Sequence, residues 1–304
     1  MAIFTAVLLG TLPIFALIVL GRLVQARLSE QAWTGLDKLN FEVLFPALLF
    51  TAAASRPIDL SRVMVIGPAV WAILTLGLVA GYAARRFGPE TFLDFAGAWQ
   101  TAWRFNTAIG FVAVAILTHA DTALMAVVAG MAVPVANVFA VSALSRGGNL
   151  GLAATVRRVV LNPFFMASLL GVLVGISGFT IPDVIMSPLR LLGQAAIPVA
   201  LVSVGATLDW RALARLNGFS GTILGVKLML LPAVTLGTCL LLGADPSITS
   251  ILTMFAALPT ASAAHVLASA FGADRALTAT IVAQSTLVSA VTLPLWITLV
   301  EFLV

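Results

Sequence analysis

Charged residues are scarce in this chain: Asp, Glu, Lys and Arg make up 9% of its 304 residues, whereas an ordinary globular domain is about one-quarter charged. Because 61% of the residues are hydrophobic, water cannot be the solvent for most of the chain. Cys239 is the single cysteine, which excludes an intrachain disulfide and a cysteine metal site. The two lysines, Lys38 and Lys227, belong to no Gly-x-x-x-x-Gly-Lys-Ser/Thr loop, so the sequence does not predict ATP-driven activity. We expect neither a cofactor nor a metal.

Ten apolar stretches fill most of the chain, and each is long enough to cross a bilayer, which takes about 20 residues. They are residues 3–24, 39–55, 64–84, 95–117, 122–144, 160–178, 189–207, 218–242, 248–271 and 276–302. Little chain remains for a soluble domain. The sequence therefore predicts an all-α membrane protein of ten transmembrane helices.

The basic residues are spread between the spans rather than gathered in a run, so the net charge of +4 does not indicate nucleic-acid binding. Their distribution predicts topology instead. With the N-terminus outside, the cytoplasmic loops hold Arg22, Arg27, Lys38, Arg85, Arg86, Arg146, Arg157, Arg158, Arg211, Arg215 and Arg275, and the opposite loops hold Arg56, Arg62 and Arg190. This bias follows the positive-inside rule. We predict a multi-pass protein of the cell (inner) membrane with both termini on the non-cytoplasmic side.

The two halves of the sequence resemble each other at a nearly constant offset. A shift of 150 residues pairs 13–24 with 163–174, a shift of 152 pairs 38–49 with 190–201, and a shift of 153 pairs 106–124 with 259–277. Five spans in each half make the halves enter the membrane from opposite sides. We therefore predict a 5+5 inverted repeat, residues 1–155 and 156–304, which provides two related conformations for alternating access.

Helix breakers lie at equivalent depths in the fourth and ninth spans. Pro259 interrupts the ninth span, and its repeat partner in the fourth span is Asn106. In transporters of this design the substrate binds near the midplane, where broken helices expose backbone groups. Half-helix N-termini that meet there carry partial positive charge. The sequence predicts an anion site at a crossing of these two helices, with hydrogen-bond donors from Asn106, Thr107, Thr260 and Ser262; a simple kink at Pro259 is the alternative.

Ionisable side chains inside the spans are costly and are functional candidates. Arg104 lies near the middle of the fourth span, where it either neutralises a substrate carboxylate or pairs with Glu42. Lys227, in the eighth span, either has a functional role or extends its ammonium group towards the interface. His265 follows Pro259 in the ninth span; histidine titrates near neutral pH, which suits proton coupling, and a structural, hydrogen-bonded histidine is the alternative.

Enzyme activity is not predicted. Residues 175–178, Gly-Ile-Ser-Gly, have the form of an intramembrane serine protease motif with His265 as a possible base. The motif ends the sixth span at the water interface, whereas His265 is predicted near the midplane, too far for a nucleophile and base that must lie about 3 Å apart. A non-transporting receptor or sensor is the other alternative class, and no soluble signalling domain is predicted to support it.

Four strings in the spans resemble the auxin efflux carrier family, which includes plant auxin exporters and bacterial malonate and malate permeases. They are 104–111 (Arg-Phe-Asn-Thr-Ala-Ile-Gly-Phe), 133–138 (Val-Pro-Val-Ala-Asn-Val), 258–261 (Leu-Pro-Thr-Ala) and 284–295 (Gln-Ser-Thr-Leu-Val-Ser-Ala-Val-Thr-Leu-Pro-Leu). The likeness covers essentially the whole chain, and the last string is the most specific.

The resemblance implies a scaffold of spans one, two, six and seven, often dimeric, beside a mobile transport unit of spans three to five and eight to ten. It implies that the crossing of spans four and nine holds the substrate, with Asn106 donating to a carboxylate and Pro259 supplying the break. The same strings add the candidate substrate-binding residues Gly110, Asn137, Gln284 and Ser285. Bile acid sodium symporters share this architecture but place acidic residues in their broken helices. Spans four and nine here have none, which disfavours sodium coupling.

We therefore expect a secondary active transporter or uniporter of small organic anions, such as malonate, malate or auxin-like acids, that works by alternating access. Its expected partners are this substrate, the lipid bilayer and a second copy of the chain.

Overall fold

A computed structural model of the chain describes residues 2–55, 60–120, 122–146, 157, 161, 163–261 and 264–304. All regular secondary structure in these residues is helical, and they contain no strand. The α-helices are α1 (Ala2–Val24), α2 (Glu30–Leu39), α3 (Phe45–Ala54), α4 (Leu60–Gly81), α5 (Phe92–Trp99), α6 (Thr107–Ala113), α7 (Thr122–Ser145), α8 (Pro163–Ser177), α9 (Asp183–Thr207), α10 (Gly218–Gly225), α11 (Leu231–Leu241), α12 (Pro246–Ala257), α13 (Ala264–Ala270) and α14 (Arg275–Leu303). The predicted division of the chain at 155/156 lies outside the described residues.

Six helical segments in the described part of the chain are long and apolar enough to cross a membrane. They are Leu9–Arg27, Ser61–Phe87, Thr122–Ser145, Asp183–Thr207, Gly218–Leu241 and Arg275–Leu303. They correspond to the first, third, fifth, seventh, eighth and tenth predicted spans. The other four predicted spans fall on shorter helices: the second on α2 and α3, the sixth on α8, and the fourth and ninth on helices that are interrupted midway.

Two π-helical turns join short helices into longer rods. The turn Asn40–Leu44 connects α2 to α3, and the turn Val226–Leu230 connects α10 to α11. Each turn is followed within two residues by a proline, Pro46 or Pro232. A proline lacks the N–H that a helix needs from it, and a wider turn is one way in which a helix accommodates that loss. The helical direction therefore continues through both prolines.

Large apolar side chains cover much of the outer surface. Leu241 is 89% exposed, Val184 is 87% exposed and Leu23 is 73% exposed. Soluble monomers rarely present such extensive apolar surface to water, whereas lipid chains solvate it without cost. The exposed surface is that of a membrane protein.

Two helix pairs approach so closely that only glycine fits between them. Where α1 crosses α9, a Cβ atom added to Gly21 would overlap the carbonyl oxygen of Val202. Where α3 crosses α8, a Cβ added to Gly171 would lie 2.9 Å from the carbonyl oxygen of Phe50. Small residues of this kind let membrane helices pack backbone against backbone. The offsets of 150 and 152 residues relate the first contact to the second, since they align Gly21 with Gly171 and Phe50 with Val202.

Candidate functional site

The first interruption lies between α5 and α6. After α5 the chain makes a 3-10 turn at Gln100–Ala102 and leaves helical geometry until Thr107. Asn106 is extended, with φ −89° and ψ 104°, and its side-chain oxygen accepts a hydrogen bond from the backbone N–H of Ile109 at 3.2 Å. Asparagine is a preferred N-cap because it satisfies an N–H that the helix leaves unpaired. Asn106 therefore both ends the interruption and starts α6.

The second interruption follows α12, which ends at Ala257. Leu258, Pro259 and Thr260 continue in non-helical geometry, and all three are buried. The backbone N–H of Thr260 donates to the Oγ of Ser285 on α14 at 3.0 Å. The chain becomes helical again in α13. Ser285, in the tenth predicted span, thus accepts from a backbone N–H that the break leaves without a helical partner.

The two interruptions touch each other directly. The backbone N–H of Asn106 donates to the carbonyl oxygen of Pro259 at 2.8 Å. The rings of Phe105 and Phe255 meet edge to face at a centroid distance of 4.6 Å. A Cβ atom added to Gly110 would lie 2.9 Å from Cδ1 of Leu258, so glycine at this position permits the approach. We call the contact between residues 103–107 and 258–261 the crossing.

Two hydrogen-bonding groups at the crossing are buried without a partner among the described residues. The Nδ2 of Asn106, whose side chain is 4% exposed, donates to no described atom, and neither does the hydroxyl group of the fully buried Thr260. An unsatisfied buried polar group costs about 1–3 kcal/mol, and the side-chain amide of Asn106 has two N–H donors. Such groups point to a ligand or water at the crossing.

Two basic side chains lie beside the crossing, the half-buried Arg104 and the buried Lys227, and each bonds to a neutral acceptor. The guanidinium group of Arg104 donates to the Oε1 of Gln100 at 3.2 Å. The ammonium group of Lys227, in the second π-helical turn, donates to the carbonyl oxygen of Ala256 at 3.0 Å, one residue before α12 ends. Lys227 is 2% exposed, so it does not extend towards the interface. A cation whose partner is neutral keeps its charge uncompensated, and therefore available to an anion.

Of the two alternatives for Arg104, the structure does not bring Glu42 to it. Glu42 lies 3.9 Å from Lys38 instead, one helical turn away, and its side chain is 55% exposed. Among the described residues, Arg104 has no carboxylate partner.

Other predicted site residues occupy several environments. Thr107 is half-buried at the start of α6, and His265 is half-buried near the start of α13. Asn137 is half-buried on α7 and makes no hydrogen bond to the described residues of the crossing. Gln284 is fully buried, and its Nε2 donates to the carbonyl oxygen of Ala212 at 2.9 Å, so that amide donates away from the crossing. Ser262 lies outside the described residues.

Gln100 is a residue of the crossing region that the sequence analysis did not single out. It is fully buried, and its Nε2 donates to the carbonyl oxygens of Gly97 at 3.0 Å and Ala264 at 3.1 Å. The available signal was its spacing, because Gln100 precedes Arg104 by four residues, about one turn of the helix that hydropathy predicts for the fourth span.

The serine of the protease-like string has a structural role at a helix end. The hydroxyl group of Ser177 donates to the carbonyl oxygen of Val174 at 2.9 Å and accepts from the N–H of Phe179 at 3.2 Å. Gly178 follows with φ +68°, the left-handed geometry that commonly ends a helix. These contacts explain the string without a nucleophile.

An apolar multi-helix chain with two interrupted helices in contact is typical of a membrane transport protein, and comparison with known proteins agrees. The family model for membrane transport proteins matches residues 149–297. A candidate malonate transporter of Rhizobium meliloti (strain 1021) is 30% identical over 312 residues, which covers 92% of each chain. An uncharacterised transporter of Methanothermobacter thermautotrophicus is 26% identical over 291 residues, covering 94% of this chain and 95% of that one.

The chain belongs to the auxin efflux carrier family of membrane transport proteins. The resemblance read from the four sequence strings is thereby confirmed.

Proposed function

We propose that this protein carries small carboxylates across the membrane as a secondary transporter or uniporter, with the crossing as its substrate site. The observation that supports the proposal most strongly is the buried Nδ2 of Asn106, which has no partner among the residues that the structure describes, next to the backbone hydrogen bond that joins the two interruptions. A carboxylate oxygen accepts from such a donor. It would remove the cost of burying the amide unpaired, and hydrogen bonds to charged groups are the stronger kind.

The charges around the crossing favour an anion. Arg104 and Lys227 bring two cations, and their bonding partners, an amide and a backbone carbonyl, are neutral. No acidic residue occurs in 95–117 or 248–271, the predicted fourth and ninth spans. The helices that leave the interruptions, α6 and α13, are seven residues long each, so we base the anion preference on these side chains rather than on helix dipoles.

The proposal includes the ten-span inverted repeat, with halves at 1–155 and 156–304. Two observations support it. The glycine contacts of Gly21 with Val202 and of Gly171 with Phe50 are related by the repeat offsets. The offset of 153 aligns Asn106 with Pro259. A two-fold axis in the membrane plane that relates the halves would exchange these two residues, so their hydrogen bond would lie close to that axis. An inverted pair of this kind provides alternating access.

The remaining arrangement follows from charge distribution and family resemblance. We infer an inner-membrane protein with both termini on the non-cytoplasmic side. Spans one, two, six and seven form the scaffold and the homodimer contact, and spans three to five and eight to ten move with the substrate.

The substrate class is a carboxylate, and the aromatic side chains around the crossing favour one with an apolar part. Malonate is suggested by the name of the Rhizobium relative, and malate is a close chemical neighbour. The buried rings of Phe105, Phe111 and Phe255 would also suit an aromatic monocarboxylate such as indole-acetate. Uniport, proton symport and exchange respond differently to an imposed pH gradient, and His265 is the titratable group nearest in sequence to the second interruption.

Uptake into proteoliposomes tests the proposal. Purified protein is reconstituted and supplied with labelled malonate, malate or indole-acetate, with and without an imposed pH gradient. We expect saturable uptake of at least one acid above protein-free liposomes, and inhibition of that uptake by the same acid unlabelled. A requirement for the pH gradient that His265→Gln removes would assign proton coupling to His265. Correctly inserted protein that moves none of the three acids would contradict the carboxylate assignment.

A further inference from the structure

Gln100 links the two interruptions through its side chain. It lies in the 3-10 turn that precedes the first interruption and is fully buried. Its Nε2 donates to Gly97 on its own segment and to Ala264, the first residue of α13, 164 positions further along the chain. Its Oε1 accepts from the guanidinium group of Arg104 at 3.2 Å. One amide therefore contacts both broken helices and the cation beside the crossing.

The orientation of this amide is fixed by chemistry. The carbonyl oxygens of Gly97 and Ala264 can only accept, so the amino end of the Gln100 amide must face them. The guanidinium group of Arg104 can only donate, so the oxygen end must face it. A flipped amide would lose all three hydrogen bonds in a buried place, where each unpaired group is costly. Gln100 consequently presents a fixed acceptor to Arg104.

A neutral acceptor holds the cation without cancelling its charge. A carboxylate in place of the Gln100 amide would form an ion pair with Arg104, and it would face two carbonyl oxygens without a proton to offer them. Leucine or methionine would leave the guanidinium group free to adopt other rotamers, since the arginine side chain has large conformational freedom. Glutamine alone among these orients Arg104 and leaves its positive charge uncompensated.

We propose that Gln100 is a positioning and specificity residue of the carrier. It orients the guanidinium group of Arg104 towards the anion, and its hydrogen bonds to Gly97 and Ala264 hold the amide in the orientation that this requires. The role rests on the proposed function, because it acts through Arg104 on a bound carboxylate. The proposal predicts that the effects of substituting Gln100 and Arg104 on KM are not additive.

A double-mutant cycle tests this non-additivity. Gln100→Met, a substitution of similar length without hydrogen-bonding groups, is expected to raise the KM for the transported acid about tenfold, the worth of one hydrogen bond to a charged group. In the background of Arg104→Met, the same substitution should change KM less than twofold, since residues of one network are not additive. Where uptake is too slow to give a KM, the rise in melting temperature with malonate concentration is measured instead.

Two further variants sharpen the test. Gln100→Glu should raise KM more than Gln100→Met does, because it neutralises Arg104. Gln194→Met, on an exposed position of α9, is the matched control and should leave KM unchanged. All variants are first checked for monodisperse elution.

The outcomes separate the two claims. Equal KM effects of Gln100→Met with and without Arg104 would make Gln100 merely structural, and wild-type KM in Gln100→Met would remove its role entirely. Both outcomes require an active wild type. A wild-type protein without uptake overturns the proposed function, and the role of Gln100 with it.

Discussion

Asn106→Ala is expected to reduce carboxylate uptake by about two to three orders of magnitude. The substitution removes the amide donor to the substrate, worth about 1.5–3 kcal/mol when the acceptor is charged, and it also removes the N-cap of α6, worth about 1 kcal/mol. Since each 1.4 kcal/mol corresponds to a factor of ten, the two losses together account for this range. Initial rates of uptake in proteoliposomes of matched protein content measure the effect.

Two control variants separate the loss of the Asn106 amide donor from the loss of the N-cap of α6. Asn106→Asp keeps an oxygen that accepts from the N–H of Ile109 but has no N–H donors and adds a negative charge, so it should abolish uptake while α6 remains capped. Asn217→Ala removes a comparable N-cap from α10, where Asn217 accepts from Ser220 at 2.9 Å on an exposed surface. It should leave the KM unchanged. Full uptake by Asn106→Asp would show that Asn106 serves α6 and not the substrate.

Gly205→Val is expected to prevent α1 and α9 from packing. A Cβ atom at Gly205 would overlap the carbonyl oxygen of Ile18 and lie 2.6 Å from its carbonyl carbon. Backbone cannot move aside as a flexible side chain can, so the helices must separate. Even Gly205→Ala should cost about 3 kcal/mol, the upper end of overpacking penalties, and the valine variant should yield little monodisperse protein. Size-exclusion profiles and melting temperatures in detergent measure both effects.

Helical glycines with open space around them provide the control. A Cβ atom added to Gly225 on α10 or to Gly237 on α11 meets no atom of the described residues within 4 Å. Alanine at either position should maintain or raise the melting temperature, because glycine disfavours the helix by about 1 kcal/mol. A Gly205→Ala protein as stable as these controls would contradict the close crossing of α1 and α9.

The interruptions could be anticipated from the sequence because their signals are local. Pro259 cannot donate to a helix, and Asn106 favours the first position of a new one. The beginning of α2 was harder to predict. Hydropathy starts the second span at 39, whereas the helix starts at Glu30, after Ser29, whose hydroxyl group accepts from the N–H of Ala32 at 3.2 Å. Polar helical turns next to a span carry no hydropathy signal.

The partners of the buried polar residues could not be predicted, because they depend on which helices meet. Arg104 and Glu42 were plausible ion-pair partners by charge alone, yet Glu42 is exposed next to Lys38. Gln284 and Ser285 are adjacent in the chain but face different neighbours, Ala212 and Thr260. Neighbouring positions on a helix point about 100° apart, and only the tertiary arrangement decides which one reaches the crossing.

The binding of substrate at the crossing is the central claim, and protection of a single cysteine tests it most directly. Thr107→Cys is placed in a Cys239→Ala background, and its alkylation by N-ethylmaleimide is timed with and without malonate. Thr222→Cys on α10 is the control cysteine, and malonamide, the uncharged diamide, is the control ligand. We predict that saturating malonate slows alkylation at 107 at least fivefold, while alkylation at 222 is unchanged and malonamide has no effect. Unchanged alkylation at 107 in protein that transports malonate would contradict the crossing as the substrate site.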